Sequence, residues 1–201
     1  MSGQVPYENL LAPHVGAEEA ARLARYAELL ERWSARHSLV RFADRRELVE
    51  RHLLDALAGA SALGDAGRLL DVGSGGGLPG VPLLVVRPGW HGVLLEPRTK
   101  RWAFLRTVIR ELGLAAEAVC SRYRELPPGR RWDCITARAL GGYEDLLEWA
   151  RDVLSEGGEV VLWTTVDTEV RLAALPRWRV LSSALPGLER GRLCRLQPCF
   201  T

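Results

Sequence analysis

"LLDVGSGGGLPGVP", residues 69–82, places five glycines and two prolines directly after a short apolar run that ends in an acid. The apolar run predicts a buried strand. The glycines predict a sharp turn after it, because glycine adopts positive φ angles without a steric penalty. Their N–H groups would face a ligand at the start of the next helix. The stretch therefore predicts a strand, a ligand-binding loop and a helix, in that order.

Short apolar or β-branched runs alternate with helical patterns in the rest of the chain. The predicted strands are RLLDVG, HGVLLEP, AEAVCS, WDCITAR and EVVLWTT, followed by two more in the tail WRVLSSALPGLERGRLCRLQ. The clearest helix runs from Thr99 to Leu112, with Gly113 at its end. Another, YEDLLEWARDVL, is expected to end at Gly157 and Gly158. This order predicts an α/β fold with a parallel sheet, helices on both faces and a closing antiparallel hairpin.

The N-terminal part of the chain predicts helices without strands. Apolar residues recur at helical spacing from Ala17 to about Arg36. A second helix is expected to begin at Asp44, with Glu47 arranged as in a capping box, and to continue to about Leu57. These helices predict a cap that precedes the sheet.

Length and composition indicate one compact unit. The chain has 201 residues, of which 47% are hydrophobic and 26% charged, enough for one sizeable core. We divide it into an N-terminal helical cap, residues 1–66, and a core, residues 67–201. The net charge is +2, and the basic residues are 26 arginines and one lysine. A GC-rich genome explains this bias as readily as nucleic-acid binding does, so charge alone identifies no partner.

Cysteine and hydrophobicity patterns exclude several classes of protein. Four cysteines are scattered without metal-ligand spacing, which predicts buried free thiols and neither a metal site nor disulfides: Cys120, Cys134, Cys194 and Cys199. The N-terminus lacks the pattern of a signal peptide, and no run of 18 uncharged apolar residues predicts a membrane span. We therefore expect a cytoplasmic protein without a membrane partner.

Two kinds of ligand fit the glycine loop. Residues 75–80 match G-x-G-x-x-G, and Glu96 lies 19 residues beyond Gly77, as in NAD-dependent oxidoreductases. Asp71, two residues before Gly73, would repel a pyrophosphate but attract the ammonium group of S-adenosylmethionine, which carries a ribose and no phosphate. Asp71 and Glu96 together favour S-adenosylmethionine. The alternative for Asp71 is that it only caps a helix.

Residues 68–114 resemble the cofactor domain of the glucose-inhibited division protein B family, the bacterial 16S ribosomal RNA guanine-N7 methyltransferases. The likeness extends upstream to an R-H-x-x-D-S-like signature at Arg51, His52, Asp55 and Ala56. It continues downstream through SRYREL and CITARAL to about residue 154, and so covers more than half of the chain. The G-L-P-G loop and the T-A-R-A segment are its most specific motifs.

Two segments depart from the family pattern. Trp163-Thr164-Thr165 stands where the family usually has Lys-Gly, and Ser38-Leu39-Val40 stands where it has Asn-Leu-Thr. The lost lysine and the modest net charge keep open a small-molecule methyltransferase of the same fold. A catalytically silent RNA-binding relative is a further alternative.

The resemblance implies a Rossmann-like class I S-adenosylmethionine-dependent methyltransferase with a seven-stranded, mostly parallel sheet. It also implies S-adenosylmethionine as cofactor and N7 of a guanine in 16S rRNA as acceptor. The expected partner is 16S rRNA or the small ribosomal subunit, and we expect a monomer. Guanine N7 has a free lone pair and no proton to lose, so methyl transfer depends on positioning rather than on a general base.

Candidate site residues follow from the loop and the resemblance. The loop and the next strand supply the expected cofactor contacts Asp71, Gly73, Ser74, Gly75, Gly77, Leu78, Pro79 and Glu96. By resemblance, Ser121, Arg122 and Tyr123 flank the adenine. Also by resemblance, Arg138 lies beside the cofactor and the base as the catalytic residue. The alternative for Arg138 is a structural salt bridge.

Predicted RNA contacts come from the two basic clusters of the chain, in the cap and in the last hairpin. They are Arg36, Arg51, His52 and Arg192. The alternative for His52 is a hydrogen-bonded packing residue, because it lies among apolar residues of a predicted helix.

Overall fold

The computed structural model describes residues 5–199, so the first four residues of the predicted cap and the last two of the predicted core lie outside it. Seven strands form one sheet in the order β3-β2-β1-β4-β5-β7-β6. They are β1 (Gly67–Val72), β2 (Trp90–Leu95), β3 (Ala116–Val119), β4 (Trp132–Arg138), β5 (Leu154–Thr165), β6 (Trp178–Ala184) and β7 (Gly191–Pro198). Strands β1 to β5 pair in parallel, and β7 pairs antiparallel with β5 and β6. The predicted sheet and closing hairpin are confirmed.

The α-helices are α1 (Tyr7–Leu11), α2 (Ala17–His37), α3 (Arg45–Leu48), α4 (Leu54–Leu57), α5 (Gly80–Val86), α6 (Thr99–Leu112), α7 (Tyr143–Val153) and α8 (Val166–Ala173). The long cap helix α2 has acids in its first turn and bases in its last, as the helix dipole favours. Between residues 5 and 199, no helix combines the length and the apolar character that a bilayer crossing requires.

The second cap helix begins as predicted but contains an irregular turn. Asp44 Oδ1 accepts a hydrogen bond of 2.8 Å from Glu47 N. Glu47 Oε2 accepts from Ala43 N rather than from Asp44 N, so the predicted capping box is wrong in its second half. Between α3 and α4 the chain forms a π-helical turn, Val49–Leu53, and after α4 it continues as a 3₁₀ helix, Ala58–Ala62. Such π turns occur often at functional sites.

Helix α7 ends earlier than the sequence suggests. It stops at Val153, and Leu154 already has extended backbone as the first residue of β5. Gly157 and Gly158 lie in the irregular first part of β5, where the register with β4 shifts. A Cβ at Gly158 would lie 2.9 Å from the carbonyl oxygen of Trp132. Gly158 therefore allows β5 to approach β4 closely, whereas Gly157 has a positive φ of 73° in the irregular part of the strand. The prediction that these glycines end the helix is wrong.

The sheet separates two hydrophobic layers. Strand side chains alternate between them, with Leu69 on one face and Leu70 on the other. The cap packs on the same face as α5 and α6, and its apolar residues join theirs in one cluster. Helices α7 and α8 cover the other face. The cap therefore forms part of the wall above the sheet.

All four cysteines are free thiols. Cys134 and Cys194 are buried, as expected. Cys120 is exposed and Cys199 is half-buried, so the expectation of burial is wrong for these two. Cys120 follows the end of β3 at the edge of the sheet, where neighbouring elements leave it uncovered.

Gly59 of the cap packs tightly against Trp163 of β5, and its replacement by alanine tests that contact. A Cβ there would lie 2.4 Å from Cη2 of the Trp163 indole, which is itself held by a hydrogen bond of 2.7 Å from its Nε1 to the Asp55 carbonyl. Because the ring has little freedom to retreat, Gly59→Ala should lower the free energy of unfolding by about 1–3 kcal/mol. The matched control is Gly64→Ala, whose Cβ would have no heavy atom within 4 Å. Urea unfolding that shows equal stability for the two variants would contradict this packing.

Candidate active site

The glycine loop follows β1 and has a backbone that requires glycine. Gly73, Gly75 and Gly77 have φ angles of 72°, 56° and 90°. The N–H groups of Gly73 and Ser74 both donate to the Leu95 carbonyl at 2.9 Å. The loop is thereby fixed against the end of β2, as the strand–loop–helix prediction requires.

One side of the loop is packed and the other is open. A Cβ at Gly80 would lie 2.6 Å from Leu94 Cδ2 and 2.7 Å from Asp71 Oδ2. At Gly73 the nearest heavy atom would be 3.6 Å away, and at Gly75 it would be 3.4 Å away. The backbone of Gly73 and Gly75 is therefore open enough for a ligand to approach it directly.

The cap supports the packed side of the loop. The hydroxyl of Tyr26, a fully buried residue of α2, donates to the Gly76 carbonyl. Val40 and Leu30 also lie against Gly76, where a Cβ would approach them within 3.0 and 3.1 Å. In the sequence, Tyr26 is one of the apolar positions of the predicted helix 17–36. Nothing in a helical pattern distinguishes a packing tyrosine from one that anchors a distant loop.

Asp71 lies beneath the loop and is completely buried. Its Oδ1 accepts from the Thr136 hydroxyl at 2.8 Å, and its Oδ2 accepts from Gly80 N, the first residue of α5, at 3.2 Å. Burial raises the pKa of Asp71 to about 6, although these hydrogen bonds oppose the shift. The contacts are those of the helix-capping alternative. A role of this carboxylate towards the cofactor stays a prediction.

Glu96 follows β2 and faces the loop. Its Oε2 accepts from Gly75 N at 3.1 Å, and its Oε1 accepts from Arg98 N at 2.8 Å. An ionised carboxylate has about four acceptor positions, so both oxygens can accept further hydrogen bonds from a ribose diol. The geometry therefore fits the predicted contact.

The segment after β3 lies next to Glu96, because Glu96 N donates to the Val119 carbonyl at 3.1 Å. Ser121 Oγ and Arg122 N each donate to a Glu125 carboxylate oxygen at 2.9 Å, which fixes a short turn. The Tyr123 ring packs on Trp149, with 5.1 Å between ring centroids. That ring is used in packing against α7, and an adenine contact of the three residues stays a prediction.

Arg138, the last residue of β4, reaches the cap. Its Nη2 donates to the Arg51 carbonyl at 3.2 Å and its Nη1 to the His52 carbonyl at 3.4 Å, both in the π turn. The same Nη2 lies 3.7 Å from Asp55 Oδ2. The salt-bridge alternative is therefore present in the structure, and Arg138 connects the sheet to the cap.

Asp55 belongs to the site, although sequence reasoning quoted it only within the signature. It is 1% exposed, and its Oδ2 has no hydrogen-bond partner among the described residues. Burial raises the pKa of Asp55 to about 6, while Arg138 and Arg51 oppose the shift. Apart from that signature, the sequence signal was an acid four residues beyond Arg51, a spacing that is common in exposed helices.

A cavity of about 510 Å³ lies beyond the ends of β4 and β5. We call it the strand-end cavity. Asp55, Arg138 and Tyr143 line it, together with the segment Trp163-Thr164-Thr165 that departs from the family pattern and residues of the β6–β7 connection. A volume of this order suits a small organic group.

The predicted RNA contacts are not gathered in one place. Arg36 is exposed on α2, in a groove of about 870 Å³ between α2 and α6. The Arg51 guanidinium donates to the Gly187 carbonyl, and His52 Nε2 lies 3.1 Å from the Arg41 carbonyl, so both are engaged within the protein. Burial lowers the pKa of His52, which favours a neutral packing histidine.

Arg192 pairs with Glu169 at 3.0 Å. Its neighbours Arg190 and Arg195 likewise pair with Asp167 and Glu159. Each of these guanidinium groups already has a carboxylate partner, so the hairpin offers no free positive cluster for phosphates. Within residues 5–199, no group of three or more His, Cys, Asp or Glu side chains is placed to hold a metal ion.

The buried carboxylate of Asp71 makes stability depend on pH in a defined direction. Because the folded-state pKa, about 6, is raised above its ordinary value, ionisation costs more in the folded than in the unfolded chain. Its contribution therefore destabilises the protein increasingly as pH rises from about 4 to about 6. Asp71→Asn cannot ionise, so its stability relative to the wild type should rise across this window by about 2–3 kcal/mol and then level off. Urea unfolding of both proteins at several pH values measures this difference; a constant difference would show that the site is not desolvated.

Comparisons with known proteins agree with this geometry. The family model described as "GidB: rRNA small subunit methyltransferase G" matches residues 19–179. A protein named ribosomal RNA small subunit methyltransferase G from Laribacter hongkongensis is 35% identical over 183 residues, covering 89% of this chain and 88% of its own. One of the same name from Methylococcus capsulatus is 36% identical over 193 residues, covering 94% of each chain. The solved precorrin-6y C5,15-methyltransferase of Geobacter metallireducens has a TM-score of 0.59 at 16% identity, covering 81% of this chain and 92% of its own.

These comparisons confirm the predicted class I methyltransferase fold, the use of S-adenosylmethionine and the prediction of an rRNA methyltransferase. They favour it over the small-molecule methyltransferase and the NAD-dependent oxidoreductase. The family match covers both the cap and the glycine loop. The chain belongs to the rRNA small subunit methyltransferase G family.

Proposed function

We propose that this protein transfers the methyl group of S-adenosylmethionine to N7 of a guanine in 16S rRNA. It acts in the cytoplasm as a monomer, on the RNA or on a small ribosomal subunit. The family match over residues 19–179 is the observation that carries the proposal. The open side of the glycine loop and the cavity beside it supply two neighbouring sites for donor and acceptor.

The cofactor fits the open side of the loop. Gly73 and Gly75 allow it to approach the backbone, and the free lone pairs of Glu96 accept hydrogen bonds from its ribose. The turn Ser121-Arg122-Tyr123 borders the adenine. Behind the loop, the remaining predicted contacts hold its shape: Asp71, Ser74, Gly77, Leu78 and Pro79. When bound, S-adenosylmethionine supplies an electrophilic methyl group.

Arg138 is proposed to contact the acceptor base. It lies on β4, directly beside β1, and lines the strand-end cavity. Its guanidinium has five N–H donors, of which two are used towards the cap, so others remain for a carbonyl such as guanine O6. The guanine needs orientation and no deprotonation at N7, so positioning of the base by Arg138 is the contribution expected of this residue.

The RNA backbone is proposed to follow the α2–α6 groove. Arg32 and Arg36 are exposed there beside Trp33, and neither forms an ion pair within the described part of the chain. Free arginines beside an aromatic ring suit phosphates and unstacked bases. Of the predicted RNA contacts, Arg36 therefore has the best structural support, whereas Arg51, His52 and Arg192 serve mainly internal contacts.

Methylation of the natural substrate class tests the reaction. The enzyme is incubated with isotopically labelled S-adenosylmethionine and either hypomethylated 16S rRNA or hypomethylated small subunits, and the digested RNA is analysed by mass spectrometry. We expect label in 7-methylguanosine at one position. Label at an exocyclic amine or a ribose would overturn the N7 assignment, and label confined to small molecules would overturn the RNA substrate. Comparing the two substrates shows which one the enzyme prefers.

The salt dependence of RNA binding tests whether the RNA backbone follows the α2–α6 groove. Removing one phosphate contact lowers the slope of log affinity against log salt by roughly 0.7–0.9, because fewer counterions are released. Arg36→Ala should weaken RNA binding and reduce the slope by this amount. The control is Arg179→Ala, which removes an exposed arginine from β6, at the edge of the sheet opposite β3 and the neighbouring helix α6. Equal slopes for the two variants would place the RNA elsewhere.

A further inference from the structure

We propose that the strand-end cavity is the guanine pocket and that the Asp55 carboxylate recognises the base by accepting hydrogen bonds from its N1–H and 2-amino groups. The inference rests on the proposed function and assigns the specificity of the same reaction to a residue of the cap. Asp55 would then select guanine over other bases, while Arg138, on the sheet side, orients it.

The state of the Asp55 carboxylate indicates a missing ligand. The residue is 1% exposed, yet its Oδ2 receives no hydrogen bond from the described residues. Arg138 Nη2, at 3.7 Å, is too distant for a good hydrogen bond. Leaving a buried carboxylate oxygen unsatisfied is costly, and the cost is recovered when a donor enters the cavity that Asp55 lines.

Neighbouring residues hold Asp55 at this position independently of its carboxylate. The Trp163 indole donates to the Asp55 backbone carbonyl at 2.7 Å, and the π turn immediately precedes the helical turn that carries Asp55. Asp55 also borders a smaller cavity of about 350 Å³ on the cap side. The strand-end cavity is the better site for the base because Arg138 and the ends of β4 and β5 line it as well.

The Asp55 carboxylate and the Arg138 guanidinium match the donor edge and the O6 edge of guanine. Among the nucleobases, guanine presents adjacent N–H donors at N1 and N2, which a single carboxylate can accept together. Adenine has an acceptor at N1, so it would place a lone pair against the carboxylate. On the other edge, O6 accepts from a guanidinium, and N7 beside it stays free for the methyl group.

The same carboxylate favours the transition state. The N7 lone pair forms the bond to the methyl carbon as the carbon–sulfur bond breaks, so the positive charge moves from sulfur to the purine. As the ring becomes cationic, its N1–H becomes more acidic and donates a stronger hydrogen bond to Asp55. The proton can remain on N1 throughout the transfer, and the products are the methylated base and a neutral thioether. The interaction is therefore stronger in the transition state than in the ground state.

Replacing the target guanosine by inosine, which lacks only the 2-amino group, tests the assignment. The two RNAs are prepared with either nucleoside at the position found by mass spectrometry, and single-turnover rates are compared. The wild type should prefer guanosine by roughly tenfold or more, the effect of one charge-assisted hydrogen bond. In Asp55→Asn and Asp55→Ala the rate with guanosine should fall more than the rate with inosine. The ratio of the guanosine rate to the inosine rate should then be within a few-fold of one in each variant. A purely structural role of Asp55 would lower both rates equally.

Glu189→Gln is the matched control, because Glu189 is an exposed carboxylate on the rim of the same cavity. It should retain the guanosine preference. Calorimetric binding of S-adenosylhomocysteine shows whether each variant is folded and retains the cofactor site. A wild-type ratio near one overturns the inference without any variant, as does a ratio that the Asp55 variants retain. If the wild type forms no 7-methylguanosine, the proposed function itself is wrong. If it forms 7-methylguanosine but the Asp55 variants keep the wild-type ratio of guanosine rate to inosine rate, only the inference about Asp55 is wrong.

Discussion

The buried carboxylate of Asp71 joins three elements at a single point. It lies on β1, accepts from Thr136 on β4 and accepts from the first N–H of α5. Burying an acid in this way is tolerated only because its acceptor positions are filled by fixed donors. The loop between β1 and α5 is thus held at both ends, and the open backbone at Gly73 and Gly75 follows from that constraint. The geometry of the cofactor site depends on this buried, hydrogen-bonded acid.

The cap contributes to the site as much as the sheet does. Tyr26 supports the loop from behind, and the π turn accepts the two hydrogen bonds of Arg138. Asp55 places a cap carboxylate in the cavity wall, against strand ends of the sheet. The family match begins within α2 rather than at β1 and therefore includes these cap residues.

Most of the fold could be predicted from the sequence, because periodicity and glycine position are local signals. The strand–loop–helix unit around Gly73 is an example, as is the end of α6 at Gly113. Gly157 and Gly158 misled because glycine serves helix ends and close strand contacts equally well, and only the pairing of β5 with β4 distinguishes the two. The π turn was missed for a similar reason, since its residues have ordinary helical preferences.

For the candidate site, the sequence predicted which acids lie at strand ends beside the loop, namely Asp71 and Glu96. The sequence did not indicate which of the named residues meet across the chain. Asp55 and Arg138 are 83 positions apart in the sequence, and their approach is set by packing of the cap on the sheet. Charge counting likewise does not reveal that Arg192 pairs with Glu169, which belongs to another element.

The hydrogen bond from Tyr26 to Gly76 also has a consequence for cooperativity. Local opening of α2 would remove a buried donor from the loop carbonyl, so the cap cannot unfold without disturbing the ligand-binding backbone. A ligand that binds the loop only while this hydrogen bond is formed therefore stabilises the loop and α2 by the same free energy, which is set by the concentration and affinity of the ligand. In hydrogen exchange, the amides of α2 and those of β1 would then gain protection together, as parts of one cooperative foldon.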